Sequence, residues 1–238
     1  MGCIAKWMIR PARHSRFAYI CYMFYLVKTP WWLKKIYPSL VWDMPADDKA
    51  IYLTFDDGPH ETITPMVLQH LKLYNAKATF FCIGNNVAKN ETIYKSIIDD
   101  GHATGNHTFN HLSGWKTKDD VYLQNIAAAA KYIQSNLFRP PYGRITKFQA
   151  GLLQKSAAAY NIIMWNLLSG DFDVHLSPQK CLHNVVRNAR PGAIVVFHDS
   201  EKASQRMIYA LPRVLEYFSE KGYVFKAIES SKIITVKP

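Results

Sequence analysis

A chain of 238 residues, 49% hydrophobic and 20% charged, has the size and composition of one globular domain, and it contains no apolar run long enough to cross a bilayer. Its formal charge of +11 admits an anionic partner, but no RNA-binding signature, zinc-finger spacing or basic helix laced with aromatics accompanies that charge, which argues against nucleic acid. Cys3, Cys21, Cys82 and Cys181 are too scattered for a disulfide framework or paired metal spacing. Cys82 follows the apolar run Ala78-Thr79-Phe80-Phe81 and reads as a small buried hydrophobe.

Residues 1–49 read as a basic, aromatic-rich extension, with eight Lys or Arg against three Asp. Arg10, Arg13 and Arg16 precede the apolar and aromatic run 17–27, the outline of a signal peptide. The chain then continues Lys28-Thr29-Pro30-Trp31-Trp32-Leu33-Lys34-Lys35 in place of a small-residue cleavage site, which disfavours a cleaved signal. The extension is expected to pack on the domain or stay loose. Alternatively, residues 17–35 form a peripheral membrane contact anchored by Trp31, Trp32 and the neighbouring lysines. A cytoplasmic or membrane-peripheral location is the corresponding expectation.

From residue 50 onward, short apolar runs alternate with helical patterns, the signature of strand-helix units around a parallel sheet. Strands are predicted at 51–55, 79–83, 102–106, near 138, 162–166, 193–197 and 223–228. Helices are predicted at 65–74, 85–100, 118–135, 147–159, 178–189 and 205–221. Seven such units in a single domain at 50–238 can close into a barrel or remain an open sheet, and sequence does not decide between them. Both architectures place ligands at the carboxyl ends of strands, so the polar residues after each apolar run are the candidates.

Thr54-Phe55-Asp56-Asp57-Gly58-Pro59 ends the first run with two carboxylates and a turn-forming pair. A turn can present both to one cavity, one to hold a cation and one to take a proton. After the third run come His107 and His111, four residues apart, which on a helical turn share one face. Two imidazoles and a carboxylate make a three-ligand metal site with positions left for water and substrate. The fourth run leads into Phe138-Arg139-Pro140-Pro141-Tyr142-Gly143, a stiff loop in which the Tyr142 N–H remains a donor. Two further strand ends supply Asp171, followed by Phe172, and His198, preceded by Val196 and Phe197.

In this order, the five clusters resemble the metal-dependent polysaccharide deacetylases of carbohydrate esterase family 4, over residues 51–198. The resemblance implies an α/β fold of deformed (β/α)7 barrel type. It implies that Asp57, His107 and His111 hold one divalent metal ion, zinc foremost or cobalt, and that Asp56 is the catalytic base. Arg139 would restrain Asp56, Asp171 would hydrogen-bond His198 as the general acid, and the Tyr142 N–H would hold the oxyanion. Phe172 stands where a Trp often follows the motif aspartate, and Val196 where a Leu often precedes the final histidine; both belong to the implied acetyl pocket. The implied substrate is an N-acetylated carbohydrate, an amino-sugar polymer or oligomer that is chitin-like or the glycan of peptidoglycan. O-acetyl ester hydrolysis and a non-catalytic carbohydrate-binding role are the alternatives, and oligomeric state is unread.

Overall fold

The computed structural model describes residues 25–46 and 48–233. The basic, apolar stretch before residue 25, with Cys3 and Cys21, lies outside the described residues. In chain order the elements are α1 (Trp31–Ile36), β1 (Ala50–Asp56), α2 (Ile63–Leu73), β2 (Thr79–Cys82), α3 (Gly84–Lys89), α4 (Glu91–Asp99), β3 (Ala103–Asn106) and α5 (Asp119–Ala130). They continue with β4 (Leu137–Phe138), α6 (Lys147–Lys155), β5 (Asn161–Ile162), β6 (Leu167–Leu168), α7 (Pro178–Asn188), β7 (Ala193–His198), α8 (Glu201–Glu220) and β8 (Val224–Phe225). Their starts follow local chemistry where caps exist. Thr146 and Gln149 form a reciprocal capping box on α6, and Ser177 caps α7 with Pro178 as its first residue.

All ladders between named strands are parallel, in the order β5-β4-β3-β2-β1-β7-β6, with β8 beside the first half of β1. Seven strands laid flat would separate β5 from β6 by roughly 29 Å. Yet only residues 163–166 connect those two strands, a reach of at most about 19 Å. The sheet therefore curls into a deformed barrel. Its two ends do not pair with each other among the described residues; the seam is filled by the N-terminal segment. Lys28 bridges Leu167 antiparallel and Val41 bridges Ile163 parallel.

Apolar packing follows the same layers. Between sheet and helices, Leu53, Phe55 and Phe197 pack with Val67, Leu71, Leu211 and Leu215 of α2 and α8. Inside the barrel, Tyr52, Phe81, Ile163 and Ile194 pack with Val41 and Met44. Leu40 and Trp42 enter a third cluster with Tyr122, Phe138 and Ile162. Residues 40–44 thus belong to the hydrophobic interior, whereas Trp31 and Trp32 on α1 are exposed. Cys82 is buried in the cluster between sheet and helices. Among the described residues, no helix is long and apolar enough to cross a membrane.

Three predicted elements differ. Of the strand predicted at 162–166 only Ile162 lies in a named strand, β5; residues 163–166 cross the seam to β6, because an apolar run does not reveal which neighbour each part pairs with. The helix at 85–100 breaks at Asn90, whose side-chain amide donates to Pro59 O at 3.2 Å and Asn86 O at 3.1 Å. The strand at 223–228 shortens to β8, since Ile228 donates its N–H to the Thr79 side chain at 2.8 Å instead of extending a ladder.

Candidate active site

β1 and β7 are in register with Asp56 opposite His198, so both side chains emerge together at the carboxyl end of the sheet. Asp57 leaves the strand in a left-handed conformation, φ 80°. Its carbonyl accepts from Asn86 Nδ2 at 2.7 Å. Gly58 N–H donates to Asp199 Oδ1 at 3.0 Å, and Thr64 Oγ1 donates to Asp199 Oδ2 at 2.5 Å. A side chain at Gly58 is excluded, because its Cβ would lie 2.0 Å from Asp199 Oδ2. Burial pushes the Asp199 carboxyl up to about 7. Asp199 fastens the aspartate turn to β7; its sequence position beside His198 was visible, but only the fold gives it this partner.

His107 and His111 do not share a helical turn. The residues between them form an irregular loop in which Thr108 (φ 65°) and His111 (φ 57°) are left-handed. Side chains shape that loop. Asn106 Oδ1 accepts from Thr108 N at 2.8 Å, and Asn125 Oδ1 accepts from the N–H groups of Phe109 and Asn110 at 2.9 and 3.0 Å. Strained backbone at both Asp57 and His111 is held by these contacts, a common trait of functional sites.

The three predicted ligands converge. His107 Nδ1 lies 2.7 Å from Arg139 O, which turns Nε2 inward to 3.7 Å from Asp57 Oδ1; His111 Nε2 is 3.2 Å from the same oxygen. One ligand atom from each residue fits within 4.8 Å of the others. Burial drives His107 down to about 4, keeping it neutral as a ligand must be. Burial opposes charge on Asp57, but His111, His198 and His107 around it hold its carboxyl well below the usual range. Asp57 Oδ1 is nevertheless buried without a hydrogen-bond donor. An orphaned anionic oxygen facing two imidazole nitrogens is the donor set that a small divalent cation satisfies.

Arg139 is fully buried across the barrel. Its Nη1 donates to Asp56 Oδ1 and Thr54 Oγ1, both at 2.7 Å, while Nε reaches Ile163 O at 3.1 Å and Nη2 reaches Met164 O at 3.0 Å. Its guanidinium lies 4.1 Å from the Phe81 ring centroid. Arg139 thus restrains the aspartate and also ties β1 to the seam segment. We expect Arg139→Met to cost about 3–5 kcal/mol in chemical denaturation, because Asp56 would keep a buried charge with no partner. A loss under about 1 kcal/mol would contradict this.

Asp171, also fully buried, accepts from His198 N at 2.7 Å and stands 2.8 Å from His198 Nδ1. Burial alone would lower His198, but the charge and hydrogen bond of Asp171 push it up to about 10. Buried Arg206 on α8 donates to Asp171 O at 2.6 Å, a support that sequence periodicity did not single out. The Phe172 ring packs edge-on against His198, centroids 5.4 Å apart. Tyr142 (φ 60°) is exposed, its ring 4.6 Å from His111. Val196 is buried in β7 between Thr54 and Leu168, on the same face as Ile194 inside the barrel.

The polysaccharide deacetylase family model matches residues 43–159. A peptidoglycan-N-acetylglucosamine deacetylase of Bacillus cereus is 34% identical over 203 residues, covering 82% of this chain and 94% of that protein. Among solved structures, the Bc1960 peptidoglycan N-acetylglucosamine deacetylase superposes with a TM-score of 0.78 at 30% identity, covering 86% of this chain and 97% of that one. BA3943 of Bacillus anthracis, described as a pseudoenzyme of carbohydrate esterase family 4, superposes at 0.69 with 25% identity, over 80% of this chain and 68% of that one.

Proposed function

The chain belongs to the polysaccharide deacetylase family and is a hydrolase of N-acetylated glycan, and we propose that it is metal-dependent and acts on amino sugars of a cell-envelope polymer. The observation that carries this reading is the orphaned Asp57 Oδ1 facing His107 and His111, with Asp56 and His198 paired across the sheet end beside it. When bound by Asp57, His107 and His111, a divalent cation, zinc in this proposal, supplies Lewis-acid polarisation and acidifies water.

The protein's own groups divide the remaining work. Asp56, oriented by Arg139, takes the proton of the attacking water. The Tyr142 N–H donates to the carbonyl oxygen as negative charge develops on it. His198, charged through Asp171, gives its proton to the departing nitrogen, so the C–N bond breaks as a free amine leaves and acetate is released. Phe172 beside His198 and Val196 in the barrel wall bound the acetyl methyl.

Beside the trio, a groove of about 430 Å³ runs past His111 and Tyr142 to Lys116 and Arg144. The Arg144 guanidinium lies 5.5 Å from the exposed Trp115 ring, and neither cation has a carboxylate partner among the described residues. An aromatic shelf with two cations favours a glycan that carries carboxylates, as peptidoglycan does, over neutral chitin. The test is acetate release from peptidoglycan glycan, chitooligosaccharides and acetylated xylan. We expect release from the first two, fastest on the anionic glycan, and loss of both with a chelator. Release from xylan alone would make this an O-acetyl esterase, and no release from any would make it a non-catalytic relative.

A further inference from the structure

The residues that follow β6 carry Asp171 and Phe172, and the N-terminal segment runs antiparallel beside them. Lys28 bridges Leu167, Val27 O accepts from Leu168 N at 2.9 Å, and Thr29 N donates to Asn166 O at 3.0 Å. Continuing that register brings Tyr25 level with Gly170, one residue before Asp171. The contacts agree. A Cβ on Gly170 would lie 2.7 Å from the Tyr25 hydroxyl, so the glycine leaves the space that the tyrosine occupies. The Tyr25 ring packs on Phe172 with centroids 4.9 Å apart and planes tilted by 60°. Phe172 in turn packs edge-on against His198.

We propose that Tyr25 is a positioning residue for substrate selection: by backing the Phe172 ring against His198, it sets the size of acyl group that the site accepts. The inference rests on the deacetylase reading. Tyr25, Phe172 and His198 all lie outside residues 43–159 that the family model matches, and the N-terminal segment supplies the ring behind Phe172. Burial, with the Asp173 carboxylate beside it, pushes the Tyr25 hydroxyl up to about 12, so the residue stays a neutral aromatic body at working pH. Without the ring behind it, Phe172 can swing away from His198 and the pocket deepens by a carbon or two. Deepening favours a longer acyl chain, while the metal trio is untouched.

The full chain, zinc-loaded, would be assayed on glucosamine oligomers carrying N-acetyl or N-propionyl groups, as wild type, Tyr25→Ala and Tyr25→Phe. Tyr25→Ala is expected to raise the propionyl-to-acetyl ratio of kcat/KM by about tenfold, the scale of one methylene in an apolar pocket, whereas Tyr25→Phe keeps the ring and leaves the ratio within about twofold. A merely structural role would lower both activities together. An unchanged ratio in Tyr25→Ala would overturn the proposal. A second readout needs no turnover: acetohydroxamate, propionohydroxamate and butyrohydroxamate titrated calorimetrically into the zinc-loaded proteins. If the wild type hydrolyses no glycan yet Tyr25→Ala shifts hydroxamate preference toward the longer chains, the deacetylase reading fails and the role of Tyr25 stands. If the wild type hydrolyses no glycan, absence of a shift in hydroxamate chain-length preference defeats it.

Discussion

Asp57→Ala is expected to strip the metal from the protein and reduce acetate release by at least about a thousandfold. The scale follows from losing the several kcal/mol of charge stabilisation that a bound cation supplies, since about 4 kcal/mol corresponds to a factor of 10³. Asp57 is the hub of the trio, because both imidazole nitrogens face its Oδ1. Without that oxygen, two histidines remain and the coordination shell has lost its only anionic member. His107→Ala should behave alike, since its Nε2 is aimed by the Arg139 carbonyl and, among the described residues, no fourth His, Cys, Asp or Glu joins the trio. Elemental analysis of the purified variants, alongside circular dichroism to confirm folding, is the measurement. Full zinc occupancy in either folded variant would remove that residue from the ligand set.

His198→Ala separates proton delivery from metal binding. We expect the variant to keep its zinc and lose turnover by about 10³-fold, within the range that a positioned general acid contributes. Unchanged turnover would end the assignment. Its pH dependence carries a definite sign. The acid must be protonated to donate, so activity is present below its pKa and falls as pH rises through it. Asp171 provides the largest upward contribution to a value of about 10, while a cation at Asp57 opposes protonation. The alkaline limb of the metal-loaded enzyme therefore lies below that value, and Asp171→Asn should move it lower still. The same pairing stabilises the fold fully below the unfolded histidine's pKa of about 6.5, and that contribution is lost as pH rises through the folded one. A limb that stays in place in Asp171→Asn would show that some other group sets it.

Kinship with a pseudoenzyme makes these measurements decisive. A retained fold does not by itself supply chemistry. Here the candidate base and acid are each held by a buried partner of opposite charge, Arg139 for Asp56 and Asp171 for His198.

Short-range signals were legible from the chain alone. Alternating apolar runs and helical patterns specified parallel strand-helix units, and the strand-end rule directed attention to Asp56, Asp57, Asp171 and His198. The spacing of His107 and His111 suggested a shared helical face, which the loop contradicts. The two rings meet all the same, with centroids 5.1 Å apart, because side chains of Asn106 and Asn125 bend the backbone into left-handed turns. Nothing in the local sequence announces such a bend.

By itself, then, the sequence determined which residue types stand at each strand end, because strand periodicity and turn chemistry are written within a few neighbouring positions. Only the tertiary structure decided that residues 163–166 cross a seam, that the segments around Lys28 and Val41 fill it, and that Tyr25 reaches Phe172. It also decided the burial of Asp199 beneath Gly58 and the span of Arg139 across the barrel. Those relations join positions 24 to 147 residues apart. They depend on how the sheet curls, which is fixed by total packing and chain reach and not by any local pattern.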